Sequence, residues 1–183
     1  DNFWEREREA DSTRRKSLEN LDYVAIPLQD LPLDVLGDLP EIEEYHEKLR
    51  ELSGKKIVNF AGYSNTELKL EYGAPNINLL SEYDRNFEEL ITLLQEWASL
   101  LLQNWGEGAQ LCPEEERKQA AKKVLAFAVS IGSDITASYE KLVKLYLEYG
   151  EQDKLPALKE KAQKIRSLSK PRILALLDEA VKG

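Results

Sequence analysis

The sequence has no methionine, one histidine and one cysteine, and these shortages exclude several kinds of site. Because a disulfide needs two cysteines, Cys112 cannot form one within the chain. Ser–His–Asp and Cys–His catalytic sites both need a histidine, so either would have to use His46. We therefore predict no catalytic residues, no metal ligands and no cofactor. The enzyme question stays open, with a non-enzymatic role favoured.

Long hydrophobic runs are also missing. A membrane-spanning helix needs about 20 largely apolar residues, and stretches such as residues 98–102 are far shorter. The chain begins with aspartate, so we interpret it as a processed fragment and leave open that a membrane anchor lies upstream. It would then be the soluble domain of an anchored protein, although the sequence itself predicts no compartment and no oligomeric state.

The formal charge of −9 is unevenly distributed. An acidic surface repels phosphate backbones, so we expect no nucleic-acid partner. Residues 30–47 contain seven acidic residues and no lysine or arginine, whereas residues 154–172 contain seven basic residues and one acid, Glu160. The first and last thirds of the chain therefore carry opposite local fields, which suit contacts with another protein or between copies of this chain.

Hydrophobic residues make up 42% of the chain, enough for a real core, and their spacing is helical. Residues 2–20 are predicted as an exposed helix or a tail, and residues 21–40 as an irregular packed arm punctuated by prolines. Helices are then predicted from Pro40 to a left-handed cap at Gly54, and over residues 64–73. Between about residues 76 and 182 five helices follow, and Asp134 is expected to cap the third of these. Short loops between them favour antiparallel packing.

Two helix ends, at Gly106 and Gly150, lie 44 residues apart and suggest a repeat. The second unit resembles a tetratricopeptide-type repeat, a family of stacked helical hairpins that bind peptides. The matching positions are Tyr139, Leu142, Tyr146 and Ala162. It departs from that pattern at Val143 and at Pro156, and the first unit departs at Gln95 and Leu102.

The predicted fold is therefore all-α, with antiparallel helical hairpins in a tetratricopeptide-like array or bundle. We divide it into an N-terminal arm, residues 1–40, and a helical domain, residues 41–183. Residues 57–84, with the string 64–73, Asn76, Tyr83 and Asp84, also resemble an uncharacterised bacterial family with an upstream membrane anchor. That resemblance implies no activity.

The polar segment between residues 59 and 76 is the candidate binding site. Amides, hydroxyls and aromatic rings collect here with few bulky aliphatic residues, as in many recognition loops. The alternative is structural, since such side chains also cap helices and tie turns together. The candidate residues are Asn59, Tyr63, Ser64, Asn65, Lys69, Tyr72 and Asn76.

The other residues that could form a functional site are interpreted as structural or solvent-exposed. His46 is expected on the surface of an acidic helix, and Cys112 is expected to be a packed or loop residue. The basic residues of segment 154–172 are expected to form a solvated face, with Leu168 on the opposite, apolar side of the helix that Pro156 opens. In the final helix, Val181 is expected to point inward.

Three functional hypotheses remain. The first is a non-enzymatic module that binds a protein or peptide, with the arm covering part of its groove. The second is an enzyme that uses carboxylates in a cleft near residues 59–84, which would hold a carboxyl group away from water. The third is a purely architectural domain that assembles through its acidic and basic segments.

Overall fold

The computed structural model describes residues 2–106 and 112–183, and within them the regular structure is entirely helical. The predicted all-α class is confirmed. The described residues contain eight α-helices: α1 (Asn2–Asp11), α2 (Pro40–Ser53), α3 (Asn65–Tyr72), α4 (Ile77–Leu102), α5 (Glu114–Ser130), α6 (Thr136–Glu148), α7 (Leu155–Gln163) and α8 (Lys170–Lys182).

Helix α4 is the centre of the fold. It packs against α5, α2 and α3. Its buried face extends from Leu80 to Leu101 and includes Trp97, which has no accessible surface. Because its buried residues from Phe87 to Leu101 belong to the main hydrophobic core, the loss of this helix would disrupt that core.

The C-terminal helices pack onto this centre as antiparallel neighbours. Lys118, near the start of α5, lies 3.1 Å from Glu148, the last residue of α6, so these two helices run in opposite directions. Helix α8 packs against α6 and α7. Whether these pairs form a tetratricopeptide-like array stays a prediction.

Helix ends follow the sequence signals in some places and not in others. Ser64 forms a capping box with Glu67, as expected for a serine that starts a helix. Asp134 does not cap α6, which has no side-chain cap. The hydroxyl of Ser133 accepts the backbone N–H of Ile135, just before the helix, at 3.2 Å. Gly54 ends α2 with φ −91°, so the predicted left-handed cap is wrong there.

The N-terminal segment wraps around the helical core. Helix α1 packs against α3, and the chain between α1 and α2 contains one short 3-10 turn, Leu28–Asp30. Val24 donates its backbone N–H to the carbonyl of Ile57 at 2.8 Å, and the side chains of Leu31 and Val35 are buried in the main core. The division of the chain at residue 40 stays a prediction.

His46 lies in the core, so its predicted surface position is wrong. Only 1% of its surface is exposed, and its ring meets Trp97 edge to face at 5.1 Å between centroids. Burial lowers the pKa of His46, an effect that Glu43 opposes and Arg50 reinforces. Both ring nitrogens lack a hydrogen-bond partner among the described residues, and the lowered pKa favours the neutral imidazole.

Two apolar residues that were predicted to point inward are exposed. Helix α7 ends at Gln163, so Leu168 lies in the following turn rather than on a helix face, and its side chain is 100% exposed. Val181, near the end of α8, is 54% exposed. Cys112 is buried, as predicted, and burial raises the pKa of its thiol.

Candidate functional site

A polar cleft forms where three distant parts of the chain meet. The chain after the buried strand-like residues Ile57 and Val58 reaches both the turn that follows α5 and the end of α7. Asn59 bridges the first two parts: its amide donates to the carbonyl of Gly132 at 3.5 Å, and its Oδ1 accepts the N–H of Ala61 at 3.0 Å. The side chain of Asn59 is thus held at the junction by its own turn and by a neighbour 73 residues away.

Two glycines allow this close approach. Gly62 has φ +86°, and a Cβ there would lie 2.6 Å from the Cβ of Arg166. Gly132 has φ +96°, and a Cβ there would lie 2.9 Å from the amide nitrogen of Asn59. Side chains at either position would therefore meet both steric conflict and an unfavourable backbone conformation.

The cleft has a volume of about 270 Å³ and opens to solvent. That is near the lower end of the range for small-ligand sites, and it also suits one or two side chains of a bound peptide. The lining residues are Asp22, Val24, Asn59, Ala61, Ser130, Ile131, Gly132, Asp134, Lys161, Lys164, Ile165 and Arg166.

Basic side chains dominate one wall. The guanidinium of Arg166 lies over the ring of Tyr63, 4.3 Å from its centroid, and Lys161 reaches the carbonyl of Ser130 at 3.5 Å. Among the described residues, neither Lys164 nor Arg166 forms an ion pair. Their charge is therefore available to a ligand.

Acidic residues are also present in the cleft and behind it. Asp22 and Asp134 line it, the first of them contributed by the N-terminal arm. Behind the lining, Asp84 accepts the backbone N–H of Phe60 at 3.2 Å. Burial raises the pKa of Asp84 against this hydrogen bond, with a further contribution from Asp134. The pKa of Glu88 is raised by burial and by Asp134 and Asp84.

The seven predicted site residues separate into two groups. Asn59 lines the cleft and Tyr63 supports Arg166 beside it. The others lie on or next to α3, where most of them contact neighbouring backbone or side chains. They are Ser64, Asn65, Lys69, Tyr72 and Asn76.

Most members of this second group have structural contacts. Lys69 pairs with Asp11 at 2.8 Å, which attaches α1 to α3. The buried amide of Asn76 donates to the carbonyls of Lys16 and Tyr72, at 2.8 and 2.9 Å. Tyr72 also packs edge to face on Phe60, at 5.9 Å between centroids. Asn65 is exposed at the first residue of α3.

Sequence patterns identified the polar segment and the basic segment but did not bring them together. The turn Ser130–Asp134, which also lines the cleft, was predicted only as a boundary between two helices and not as part of a site. A signal for it exists in Gly62 and Gly132, since isolated glycines beside polar turns often mark a close backbone approach.

Neither the chain nor its fold matches a known relative: no protein family, no curated protein and no solved structure is significantly similar to it. Within residues 2–106 and 112–183, no three histidine, cysteine, aspartate or glutamate side chains converge on a possible metal position. In the same residues no helix is both long and apolar enough to cross a membrane.

Proposed function

We propose that the protein is a non-enzymatic binding module whose cleft receives an acidic segment of a partner protein. The observation that carries this proposal is the meeting of Lys164 and Arg166, which have no ion-pair partner among the described residues, with the polar turn at Asn59. Ionised donors form hydrogen bonds to carboxylates about twice as strong as those between neutral groups.

The cleft suits a carboxylate side chain for geometric reasons. Arg166 presents a planar guanidinium whose face is occupied by Tyr63, so its N–H edge remains for a ligand. Lys164 adds a flexible point charge from the same turn. Asp22 and Asp134 would repel a second carboxylate. They therefore favour a peptide in which polar or basic residues flank the acidic one.

The helical scaffold supports the same role. We propose that the packed helix pairs α5–α6 and α7–α8 form a tetratricopeptide-like bundle, in keeping with the contacts of α6 with both α5 and α8 and with the burial of Tyr139, Leu142 and Ala162. Rigid helices hold the connecting turns in place, and turns held in this way are common recognition surfaces.

The test is selection from a random twelve-residue peptide library with the purified domain. We expect the selected peptides to be enriched in aspartate and glutamate. Their affinity should fall about tenfold in the double variant Lys164→Ala/Arg166→Ala, because two uncompensated cationic contacts are removed.

The matched control is Arg6→Ala/Lys144→Ala, which removes the same charges from exposed positions on α1 and α6. It should bind the selected peptides as the unmodified chain does. Selection of peptides without acidic enrichment, or equal losses in both double variants, would show that the cleft is not the binding site.

The position of Asp84 favours a second candidate, an enzyme that uses carboxylates in this cleft. A carboxyl group with a raised pKa beside a cleft is typical of general acids. Against it, Asp84 does not line the cleft, and one of its oxygens is occupied by the N–H of Phe60. An Asp84→Asn variant that binds the selected peptides normally would favour the binding module.

A further inference from the structure

The turn between α7 and α8 projects a leucine into solvent. Leu168 is 100% exposed, whereas Ile165 before it and Ile173 after it are buried in the main core. The turn is closed by the backbone N–H of Lys170, which donates to the carbonyl of Ser167 at 3.2 Å. Leu168 is therefore held outward by a turn that is fixed on both sides.

The surroundings of this leucine are strongly basic. Between Lys161 and Leu177 the sequence contains five basic residues and no acid, in a chain whose formal charge is −9. Arg166 and Arg172 are exposed on either side of Leu168, and Lys170 is half-exposed next to it. We call residues 166–172 the basic tip.

We propose that the basic tip docks on the surface of an anionic lipid bilayer, with Leu168 inserted among the headgroups and its basic neighbours on the lipid phosphates. A bilayer interface accepts a single projecting aliphatic chain without a shaped pocket, while lysine and arginine remain at headgroup level. The buried apolar residues of α7, such as Leu158, take no part, so the helix itself lies above the surface.

The lipid charge determines which bilayers the basic tip should bind. Each basic residue near an anionic leaflet strengthens binding by about fivefold. Salt screens the repulsion from acidic residues that lie farther from the bilayer than the Debye length, which is about 8 Å at physiological salt. Binding should therefore require anionic lipid and should decrease with salt.

This inference goes beyond the proposed peptide binding, although Arg166 belongs both to the cleft and to the basic tip. Leu168, Lys170 and Arg172 do not line the cleft, so variants at these positions leave the cleft's own charges in place.

The experiment is co-sedimentation of the full chain with two kinds of vesicle, phosphatidylcholine alone and phosphatidylcholine with 30% phosphatidylserine, at low and moderate salt. We expect binding to the anionic vesicles only. Leu168→Ala should weaken it about tenfold, because most of the inserted apolar surface is removed. Lys170→Glu/Arg172→Glu should abolish it.

The matched controls are Leu79→Ala, at another exposed leucine, and Lys55→Glu/Lys144→Glu, at exposed lysines after α2 and on α6. Both should bind as the unmodified chain does. Failure of the unmodified chain to bind anionic vesicles would overturn the proposal, and so would equal losses in tip and control variants. A tip that serves a protein partner would give the first of these results.

Discussion

Replacing Arg117 with alanine should destabilise the protein strongly, because this charged side chain is buried and completes the end of a neighbouring helix. Arg117 begins the second turn of α5 and is 4% exposed. Its guanidinium donates to the carbonyls of Leu101 and Gln103 at 3.0 and 2.7 Å. These carbonyls lie at the end of α4, where a helix lacks partners of its own.

The expected cost follows from those two bonds. Hydrogen bonds from a charged donor contribute about 1.5–3 kcal/mol each, and a cation at a helix C-terminus adds about 0.5 kcal/mol. Removing the guanidinium also removes the desolvation cost of a buried charge, which offsets part of this loss. We expect Arg117→Ala to lower the free energy of unfolding by about 3 kcal/mol, which corresponds to a fall of about 6–12 °C in Tm for a domain of this size.

The assay is urea denaturation followed by circular dichroism, with Arg117→Lys and Lys118→Ala as companions. Arg117→Lys keeps the charge but cannot reproduce both bonds of the guanidinium, so an intermediate loss is expected. Lys118 forms its ion pairs at the surface, so its variant should leave the midpoint nearly unchanged. An Arg117→Ala loss below about 1 kcal/mol would refute the reasoning, because two charged hydrogen bonds cannot be that weak unless water replaces them.

Three further predictions concern other buried contacts. Because burial lowers the pKa of His46, this histidine is protonated in the unfolded chain before the folded one as pH falls below about 6.5, so the free energy of unfolding should decrease there. His46→Phe should remove this part of the pH dependence in denaturant titrations. Identical pH profiles for the variant and the unmodified chain would contradict the prediction. Gly73 has φ +97°, and a Cβ added there would lie 2.2 Å from the carbonyl oxygen of Arg14. Gly73→Ala should therefore introduce a strain of about 1–3 kcal/mol, release the N-terminal segment and speed its cleavage by trypsin. An unchanged cleavage rate would be inconsistent with this packing. Asp84→Asn should raise Tm at pH 7.5, because burial disfavours the charged carboxylate and asparagine can still accept the N–H of Phe60. A lower Tm would show that the charged carboxylate is not destabilising.

Local patterns predicted most of the helices because each one is marked by its own residues. Pro40, Ser64 and Pro113 lie at helix starts, as proline and serine often do. Leu168 shows the limit of this approach. Extending the helical period of α7 past Gln163 placed it on the buried face, but the helix ends before it.

At His46 two local patterns disagree: the acidic neighbours favour an exposed position, and the helical spacing favours a buried one. Its neighbours Glu43, Glu44 and Glu47 suggested an exposed position. Yet His46 is four residues after Ile42 and three before Leu49, both buried, so the helical period puts it on the inner face. Spacing was the stronger signal because it reports which side of the helix faces the core.

The cleft could not be predicted because it depends on contacts between distant segments. Asn59 and Gly132 are 73 residues apart, and no local pattern states that they meet. The polar segment itself was found, but hydrogen-bonding side chains have the same composition in caps and in binding sites. Only the fold shows that Lys69 and Asn76 attach the N-terminal segment while Asn59 faces the cleft.

The most direct test of the proposed binding function is a map of backbone amide chemical shifts during titration with the acidic peptide that the library selects. The account predicts changes centred on Ala61, on the turn Ser130–Asp134 and on residues 164–166. It also predicts that these changes are lost in Lys164→Ala/Arg166→Ala. Changes centred on another surface, such as the one formed by Tyr45 and Glu96, would contradict it.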